Sequence, residues 1–478
     1  MYFLYAILAL FAVLLSVILI RTARFTPKAP IPPAEGEVSF DREAAISALQ
    51  ALVRCKTVSR YTHEEEDDGE FKKLVSLLPS LYPAVFEKCT LTRLPDRALL
   101  FHLKGRTQGS PSVFMAHYDV VPALEESWEK PAFEGIIENG VMWGRGTLDT
   151  KATFNGVLFA ANTLLTEGFV PENDLYFAFS GGEEVNGPGA RHIVNYFKEN
   201  NIPVSLVVDE GGAVVENVFP GVKAPCGLIG IAEKGMMDLE YRIASGGGHA
   251  SSPPPRTSIG RLSAACCAIE RNPFPSHLTK PVAEMFDTLG RHSSFLFRMI
   301  FANLWCFAPL LDLICKKSGG ELNALMRTTV AFTQMKGSNA CNVLPPEASM
   351  VSNIRLNPED TMESAKAYLE KVVANERIEL SPIQGMNPSR ISRTDCEEYR
   401  RVAAAIAGTW PGTLVSPYLM VQCSDSRHYG AISDRVYRFS AMDLTSEERR
   451  TIHGHNERIR LECVGRAVEF YIRLMKQC

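Results

Sequence analysis

Short apolar runs dominate the first half of this chain, and each ends at polar or glycine-rich residues. The clearest runs are VFMA (113–116), LYFAF (175–179) and SLVV (205–208). Strands that are buried on both faces give such continuous runs, as in a parallel sheet covered by helices. Residues 41–54 and 151–168 instead space their apolar side chains as helices do. The alternation predicts an α/β domain with helices on both faces of a mostly parallel sheet.

The pattern changes between about residues 232 and 382. There MMDLEYRIA (236–244) and EASMVSNIRLNP (347–358) alternate apolar and polar residues, which is typical of strands with one wet face. The α/β character returns after residue 382. An α+β domain inserted into the α/β domain explains this order, and a length of 478 residues also favours two domains over one.

The N-terminal residues Tyr2 to Ile20 form an apolar stretch without a charge, close to the ~20 residues that span a bilayer. A cleavable signal peptide is the alternative, but the basic start and the small-x-small cleavage site of such a peptide are absent. The basic residues Arg21, Arg24 and Lys28 follow the stretch, which favours a cytoplasmic location for the rest of the chain. The sequence therefore predicts a single-pass membrane protein.

A second hydrophobic stretch covers residues 294–315. Arg298, Pro309 and Asp312 interrupt it, so we interpret it as buried helices or a partner-facing patch rather than a second span. Contact with a membrane surface is the remaining alternative. The predicted organisation is a transmembrane anchor at 1–20, a Pro-rich linker at 21–39, the α/β domain at 40–231 and 383–478, and the inserted domain at 232–382.

Composition excludes some classes of function. The chain is 46% hydrophobic and 22% charged with a formal net charge of -4, which gives no reason to expect nucleic acid as a partner. Its twelve cysteines include no C-x-x-C, so we interpret them as reduced thiols. No N-x-S/T glycosylation sequon occurs with a non-proline middle residue. Both observations agree with a cytoplasmic location.

Five residues together suggest a site for two metal ions: His117, Asp149, Glu184, Asp209 and His453. The first four follow apolar runs or lie in glycine-rich turns, and the carboxyl ends of parallel strands meet in one crevice. Asp149 is the best candidate for a carboxylate that bridges two cations ~3.5–4 Å apart. His117 with Asp209 would hold one ion, and His453 with Glu184 the other. This mixed set suits two Zn²⁺ and tolerates Mn²⁺ or Co²⁺.

Two more acidic residues accompany these ligands. Asp119 is two residues after His117 and can accept the other imidazole N–H, which fixes the tautomer. Glu183 precedes Glu184, and only one of two adjacent side chains can bind the metal, so the other can take a proton from water. Each of these residues alone is more typical of a structural or surface position, and only their joint order supports a catalytic site.

Seven motifs follow one another in a fixed order between about residue 40 and residue 478. They are HYDVVP (117–122), WGRGTLDTK (143–151), GGEEVNGPGA (181–190), VVDEGG (207–212), GGGHASSPP (246–254), CNVLPP (341–346) and IHGHNER (452–458). Together they closely resemble the dinuclear zinc peptidase family of carboxypeptidase S, Gly-Xaa carboxypeptidase, aminoacylase, carboxypeptidase G and succinyl-diaminopimelate desuccinylase. The branch that looks most similar contains carboxypeptidase S and the N-acyl-amino-acid hydrolases. The resemblance implies a zinc-exopeptidase-like catalytic domain whose inserted lid is a candidate for homodimerisation.

The resemblance also implies roles for individual residues. The metal ligands would be the five residues named above, Glu183 the general base and Asp119 the residue that orients His117. His249 matches a histidine that stabilises the oxyanion, often from a neighbouring subunit, and Asn342 and Arg355 match positions that bind the substrate carboxylate. His455 is an alternative to His453. Thr150 and Gly182 stand where many relatives carry acids, which leaves the substrate range open.

We therefore expect a membrane-anchored dinuclear metallopeptidase that cleaves an amide next to a free carboxylate and releases an amino acid from a short peptide. An aminoacylase or N-fatty-acyl-amino-acid hydrolase is the alternative with the same chemistry. A non-catalytic membrane-bound interaction module is the alternative from another class. Loss of a ligand or of Glu183 would favour that module, and neither is lost.

Overall fold

The computed structural model describes residues 1–217 and 219–478. Its strands are β1 (Thr90–Leu94), β2 (Ala98–Leu103), β3 (Ser112–His117), β4 (Ile136–Glu138), β5 (Val141–Trp143), β6 (Leu175–Ser180), β7 (Leu206–Val215), β8 (Cys226–Glu233), β9 (Gly235–Ala244), β10 (Gly248–His249), β11 (Thr329–Lys336), β12 (Val343–Leu344), β13 (Glu347–Leu356), β14 (Glu379–Met386), β15 (Leu414–Met420), β16 (Val436–Leu444) and β17 (Arg458–Arg460). Its α-helices are α1 (Tyr2–Arg24), α2 (Arg42–Val53), α3 (Asp68–Leu81), α4 (Pro83–Lys88), α5 (Lys151–Thr166), α6 (Gly189–Glu199), α7 (Ser258–Arg271), α8 (Lys280–Gly290), α9 (Phe295–Ala302), α10 (Leu304–Ser318), α11 (Gly320–Met326), α12 (Met362–Val373), α13 (Glu397–Thr409), α14 (Ser446–Arg449) and α15 (Leu461–Met475).

The central sheet has eight strands in the order β1-β2-β6-β3-β7-β16-β8-β15. The pairs β3–β6, β3–β7, β7–β16 and β8–β15 are parallel, whereas β1 and β2 add an antiparallel edge. Every residue of β3 and β6 is buried, as the apolar runs predicted. Phe114 of β3 faces the core that α5 and α15 cover, and Val113 faces the core under α6. The predicted α/β fold, with helices on both faces of the sheet, is confirmed.

The inserted domain is built on a second sheet, antiparallel, in the order β11-β13-β9-β14. Residues of β9 are alternately buried and more exposed, in agreement with the predicted strand at 236–244. Helices α7 and α12 cover one face, where Leu262 and Leu369 pack against Leu239 and Ile354. The last strand ends at Met386, four residues beyond the predicted boundary at 382.

The middle of the predicted insert packs differently from its two ends. Between Lys280 and Met326, helices α8 to α11 contribute side chains to the core of the catalytic domain. Phe286 and Leu289 lie in the same cluster as Leu228 and Leu419 of the central sheet. The part of the insert that has a core of its own therefore comprises β9 to α7 and β11 to β14. Helices α8 to α11, which pack on the catalytic domain, interrupt the insert that we expect at 232–382. Apolar helix faces show that a helix is buried but not against which domain.

Helix α1 has 23 residues and the length and composition of a membrane span or of a signal sequence. Its last turn packs on α9, where Asn303 donates hydrogen bonds to the Ile18 carbonyl and to Thr22 Oγ1, both at 3.2 Å. Helices α9 and α10 meet at 113° and together form the stretch predicted at 294–315. Part of that stretch is buried, including Phe301 and Leu311, and part is exposed, including Phe295 and Trp305.

Candidate metal centre

The side chains of the centre come from strand ends and loops on one edge of the central sheet. His117 is the last residue of β3, and Glu183 and Glu184 lie in a 3₁₀ turn just after β6. Asp149 lies two residues before α5, and its peptide bond to Thr150 is cis. His453 lies in the loop between α14 and β17. The crevice at the carboxyl ends of the strands thus collects groups that are up to 336 residues apart.

Asp149 lies between the two histidines. One of its carboxylate oxygens is 3.1 Å from His117 Nε2, and the other is 2.9 Å from His453 Nε2. Glu184 Oε2 is 3.0 Å from the same His453 nitrogen. A carboxylate with one oxygen directed to each imidazole has the arrangement required of a ligand that bridges two cations. His455 is exposed and makes no contact with this group among the described residues, so the geometry favours His453 over His455.

The structure does not bring Asp209 into the centre as we had predicted. Glu210 is there instead, with Oε1 at 3.2 Å from His117 Nε2. Asp209 is buried on the other side of β7 and accepts a hydrogen bond from the Ser426 backbone N–H at 3.0 Å. Neighbouring residues in a strand point to opposite faces, so only one of these two acids can face His117.

A bulge in β7 begins directly after Asp209. Pairing with β16 runs to Asp209, then shifts and resumes at Gly212. At the bulge Gly211 has φ +141°, and a Cβ there would lie 2.5 Å from the Met420 sulfur. Only glycine fits such a position. The sequence motif VVDEGG contains this signal in its paired glycines, but the choice between adjacent acids needs the backbone.

Asp119 contacts both His117 and the turn that carries Glu183 and Glu184. It is fully buried, and Oδ1 lies 3.3 Å from His117 Nδ1. Its two oxygens also accept the backbone N–H groups of Glu183 and Glu184 at 3.1 and 3.2 Å. Glu183 Oε2 lies 4.0 Å from His117 Nε2. Asp119 therefore fixes the histidine and the glutamate turn at once.

The charges of the centre fit divalent cations. Burial raises the pKa of Glu184 to about 7 and that of Glu210 to about 8, and the negative charge of Asp149 adds to both effects. Burial alone would lower the pKa of His117, but Glu210 and other acids keep it well above its usual value. Glu184 Oε1 is buried and has no hydrogen-bond partner in residues 1–217 and 219–478. Two sets of ligand atoms, His117–Asp149–Glu184 and His117–Glu183–Glu210, each lie within 4.8 Å of one another. Bound cations would compensate the negative charge of these neighbouring carboxylates, and one of them would bind Glu184 Oε1.

Sequence reasoning missed Glu457, which supports Asp149 from behind. Glu457 is fully buried and accepts the backbone N–H groups of Leu148 and Asp149 at 2.7 and 3.2 Å. Its other oxygen accepts a hydrogen bond from Arg145 at 2.8 Å. Arg145 lies in the motif WGRGTLDTK and Glu457 in the motif IHGHNER. Membership of these motifs indicates that both residues matter, but it does not predict that they support Asp149.

A second buried network was also missed. Glu233 is fully buried and forms ion pairs with Arg438 and with Arg427, the latter at 2.9 Å, which together hold its pKa below the usual value against the effect of burial. Asp425, two residues before Arg427, is hydrogen-bonded to Ser180 at the end of β6. Burial raises the pKa of Asp425 to about 7. In a sequence, charged residues such as these resemble surface residues, and the hydrophobic pattern does not distinguish buried charged residues from exposed ones.

The three residues predicted to contact substrate from the inserted domain lie apart from the centre. His249 is exposed on the short β10–β12 ladder, and among the described residues its ring is hydrogen-bonded only to Ser251, with Nδ1 at 2.7 Å from Oγ. Asn342 is exposed in the same hairpin region. Arg355 reaches further, with Nη1 at 3.4 Å from Cys423 Sγ, a residue of the wall of the central cavity. That cavity has a volume of about 440 Å³ and contains Asp149, Glu183, Glu184, Glu210 and His453 in its wall.

Comparison with known proteins agrees with this site. The model of "Peptidase family M20/M25/M40" matches residues 113–477. The N-fatty-acyl-amino acid synthase/hydrolase PM20D1 of Xenopus tropicalis is 35% identical over 91% of this chain and 86% of that protein. The probable carboxypeptidase S-like 2 of Dictyostelium discoideum is 32% identical over 97% of this chain and 92% of that protein.

A solved structure with the same fold is the M20 family metallo-carboxypeptidase Sso-CP2 from Sulfolobus solfataricus. It superposes with a TM-score of 0.67 at 16% identity and covers 90% of this chain and 98% of that one. The fold and the motif resemblance are thereby confirmed. This chain belongs to peptidase family M20/M25/M40 and is a hydrolytic enzyme of the metallopeptidase type.

Proposed function

We propose that this enzyme cleaves an amide bond next to a free carboxylate at a centre for two metal ions. The observation that carries the proposal is Asp149, whose two oxygens face His117 and His453. With Glu210 beside His117 and Glu184 beside His453, each ion would receive one imidazole and one carboxylate in addition to the bridge. This replaces our expectation that Asp209 is a ligand. The mixed N/O set suits Zn²⁺, with Mn²⁺ or Co²⁺ as substitutes.

The chain itself supplies the proton transfer. When bound, the two ions would acidify a water molecule and polarise the scissile carbonyl. Glu183 lies in the cavity wall beside His117 and takes the proton of the attacking water. The protonated glutamic acid then delivers that proton to the leaving amine. The Asp119 carboxylate accepts the backbone N–H of Glu183 and so keeps the Glu183 backbone in place. The Glu183 carboxylate therefore does not need to be reorganised during the reaction.

The inserted domain would hold the other end of the substrate. Arg355 offers a planar guanidinium for a free carboxylate, and Asn342 would assist it. His249 would hydrogen-bond the oxyanion of the tetrahedral intermediate. Because His249 is exposed and has no partner near the centre of its own chain, it suits a role in the site of a second copy. We therefore propose a homodimer that forms through the inserted domain.

Both substrate classes remain compatible with the relatives, one named as a carboxypeptidase S-like protein and the other as an N-fatty-acyl-amino acid synthase/hydrolase. Short peptides fit the free carboxylate requirement. Long-chain N-acyl amino acids fit it equally, and the apolar part of the cavity wall favours them as a second candidate. That part includes Met420, Met442, Leu444 and Ile452.

We propose that α1 anchors the enzyme in a membrane with the catalytic domain on the cytoplasmic side. The packing of Asn303 on α1 supports a helix that is retained in the mature protein, because a cleaved signal would leave that amide without these partners. The full chain should resist extraction by high salt, and its catalytic domain should be protected from protease added outside intact cells. Release by salt would contradict the anchor, and digestion from outside would contradict the orientation.

The substrate proposal is tested with the full-length enzyme in phospholipid nanodiscs. Dipeptides and N-acyl amino acids are offered with Zn²⁺ and again after treatment with a chelator, and each substrate has a partner with an amidated carboxylate. We expect metal-dependent release of an amino acid from substrates with a free carboxylate only. Equal cleavage of the amidated partners, or cleavage that survives removal of the metal, would contradict the proposal.

A further inference from the structure

A second cavity adjoins the metal centre and is unexplained by the chemistry above. It has a volume of about 580 Å³, within the ~300–1,000 Å³ range of small-molecule sites. Apolar side chains form most of its wall, among them Phe219, Val222, Leu322 and Leu325. They come from the segment between β7 and β8 and from α11, which the sequence alone did not connect to the active site.

The two cavities meet at three residues that belong to both walls: Leu228, Glu321 and Tyr418. The Tyr418 hydroxyl donates a hydrogen bond to Glu321 at 3.0 Å, and burial beside this acid raises the pKa of Tyr418 well above its usual value. Glu321 also lies 3.9 Å from Arg449, a residue of the metal cavity. The polar groups at the junction are paired with one another. The rest of the cavity beyond the junction is lined mainly by apolar side chains.

The other end of this cavity lies at the start of α9. Ser294, in its wall, donates its backbone N–H to the Gly221 carbonyl at 3.0 Å. The next residues, Phe295 and Leu296, are 56% and 61% exposed. Helix α9 packs on the end of α1, where Arg21 donates to the Ala302 carbonyl at 3.2 Å. A residue of the cavity wall, Ser294, therefore directly precedes an exposed apolar surface next to the proposed membrane anchor.

We propose that this cavity binds the acyl chain of a long-chain N-acyl amino acid that enters from the lipid surface at α9. The inference rests on the proposed amide hydrolysis and specifies its substrate. The amide and carboxylate would occupy the metal cavity, and the chain would pass Leu228 and Tyr418 into the apolar space. A peptide is a poor occupant there, because its amide groups would be buried without partners. Each methylene buried in the cavity should increase affinity roughly fourfold.

The test uses the full-length enzyme in phosphatidylcholine nanodiscs with N-acetyl-, N-octanoyl- and N-palmitoyl-leucine. Leu322→Trp fills the apolar cavity from α11, where Leu322 is half-buried. The matched control is Leu414→Trp, the same change at a half-buried residue in the wall of a different cavity, beneath the proline-rich linker. Val222→Phe is a second filling variant if Leu322→Trp fails to fold.

For the wild type we expect kcat/KM to rise with chain length. In Leu322→Trp or Val222→Phe the palmitoyl-to-acetyl ratio of kcat/KM should fall at least tenfold, and in Leu414→Trp it should stay within twofold of wild type. Binding of N-palmitoyl-leucine to the Glu183→Gln enzyme, measured by calorimetry, should weaken with the same filling changes. A flat chain-length profile, or a ratio and a binding constant unaffected by both filling variants, would overturn the acyl site while amide hydrolysis stands. Failure to cleave any of the three substrates, with palmitoyl binding still lost on filling, would contradict the proposed hydrolysis and support the site.

Discussion

The candidate metal centre and the residues of the inserted domain that we propose to contact substrate are built in opposite ways. In the centre, each functional side chain is held by buried neighbours from its own chain, as Glu457 and Asp119 hold Asp149 and His117. In the inserted domain, His249 is exposed on a two-residue strand, and within the described chain its ring is hydrogen-bonded only to Ser251. A preorganised centre on rigid strands can bind metal without substrate. If His249 acts in catalysis, it must be brought to the substrate by closure of the lid or by a second subunit, because it lies outside the packed residues of the centre.

The largest expected effect separates the two neighbouring acids of β7. Glu210→Gln should remove a ligand of one ion and reduce kcat/KM by several kcal/mol, at least ~1,000-fold, because a Lewis acid is lost. Asp209→Asn should cost only ~10–100-fold, since Asp209 lies next to Glu210 in β7 and its carboxylate accepts the Ser426 backbone N–H instead of facing His117. Metal content by atomic emission and steady-state kinetics decide between them. The reverse ranking would restore Asp209 as the ligand.

The next effect tests whether His249 acts across subunits. His249→Ala should lower kcat by ~100–1,000-fold, as loss of one oxyanion donor does. Co-expression with Glu183→Gln should restore about a quarter of wild-type activity, because half of the randomly formed dimers are mixed and each mixed dimer has one complete site. Activity no higher than that of either variant alone would show that His249 serves its own chain or none.

Arg355 sharpens the same comparison, because this residue of the inserted domain contacts Cys423 in the cavity wall. Arg355→Lys should reduce kcat/KM for substrates with a free carboxylate by roughly 2–4 kcal/mol, since lysine cannot reproduce the planar fork. Amidated substrates should be poor for the wild type and little affected by the change. Equal losses on both substrate types, or a lower melting temperature with unchanged kinetics, would assign Arg355 to structure.

The smallest effect concerns the support of the centre. Glu457→Gln keeps the size of the side chain but loses the ion pair with Arg145 and weakens the hydrogen bond to the Asp149 N–H. We expect metal affinity to fall ~10–100-fold while saturating metal restores most of the activity. A competition titration with a chromogenic chelator measures this. Unchanged affinity would mean that the packing around Asp149 suffices without Glu457.

The sequence predicted the features that follow from burial and from order along the chain. The runs at 113–116 and 175–179 became fully buried strands because a parallel sheet with two covered faces needs continuous apolar residues. Four of the five predicted ligands meet at the carboxyl edge of the sheet, where His117 and Glu184 follow strands and Asp149 and His453 approach on loops. The segment from Lys280 to Met326 lies within the predicted insert but packs against the central sheet, and helical periodicity carries no information about the partner of a buried face.

Other parts required three-dimensional information. The choice of Glu210 over Asp209 depends on the register of β7, because a one-residue shift reverses which face of the sheet a side chain occupies. The buried network of Glu233, Arg427 and Arg438 joins residues about 200 positions apart whose charges predict exposure. No periodicity connects such residues, so their pairing appears only in the folded chain.

The most direct measurement is the metal content and the turnover of Glu183→Gln in the full-length enzyme. Glu183 is not needed as a ligand in this account, since two imidazoles and three other carboxylates surround the two sites. The variant should therefore retain about two metal ions per chain while kcat falls at least ~100-fold, the usual scale for a general base. Loss of metal in Glu183→Gln, together with retained metal and activity in Glu184→Gln, would contradict the assignment and exchange the roles of the two glutamates.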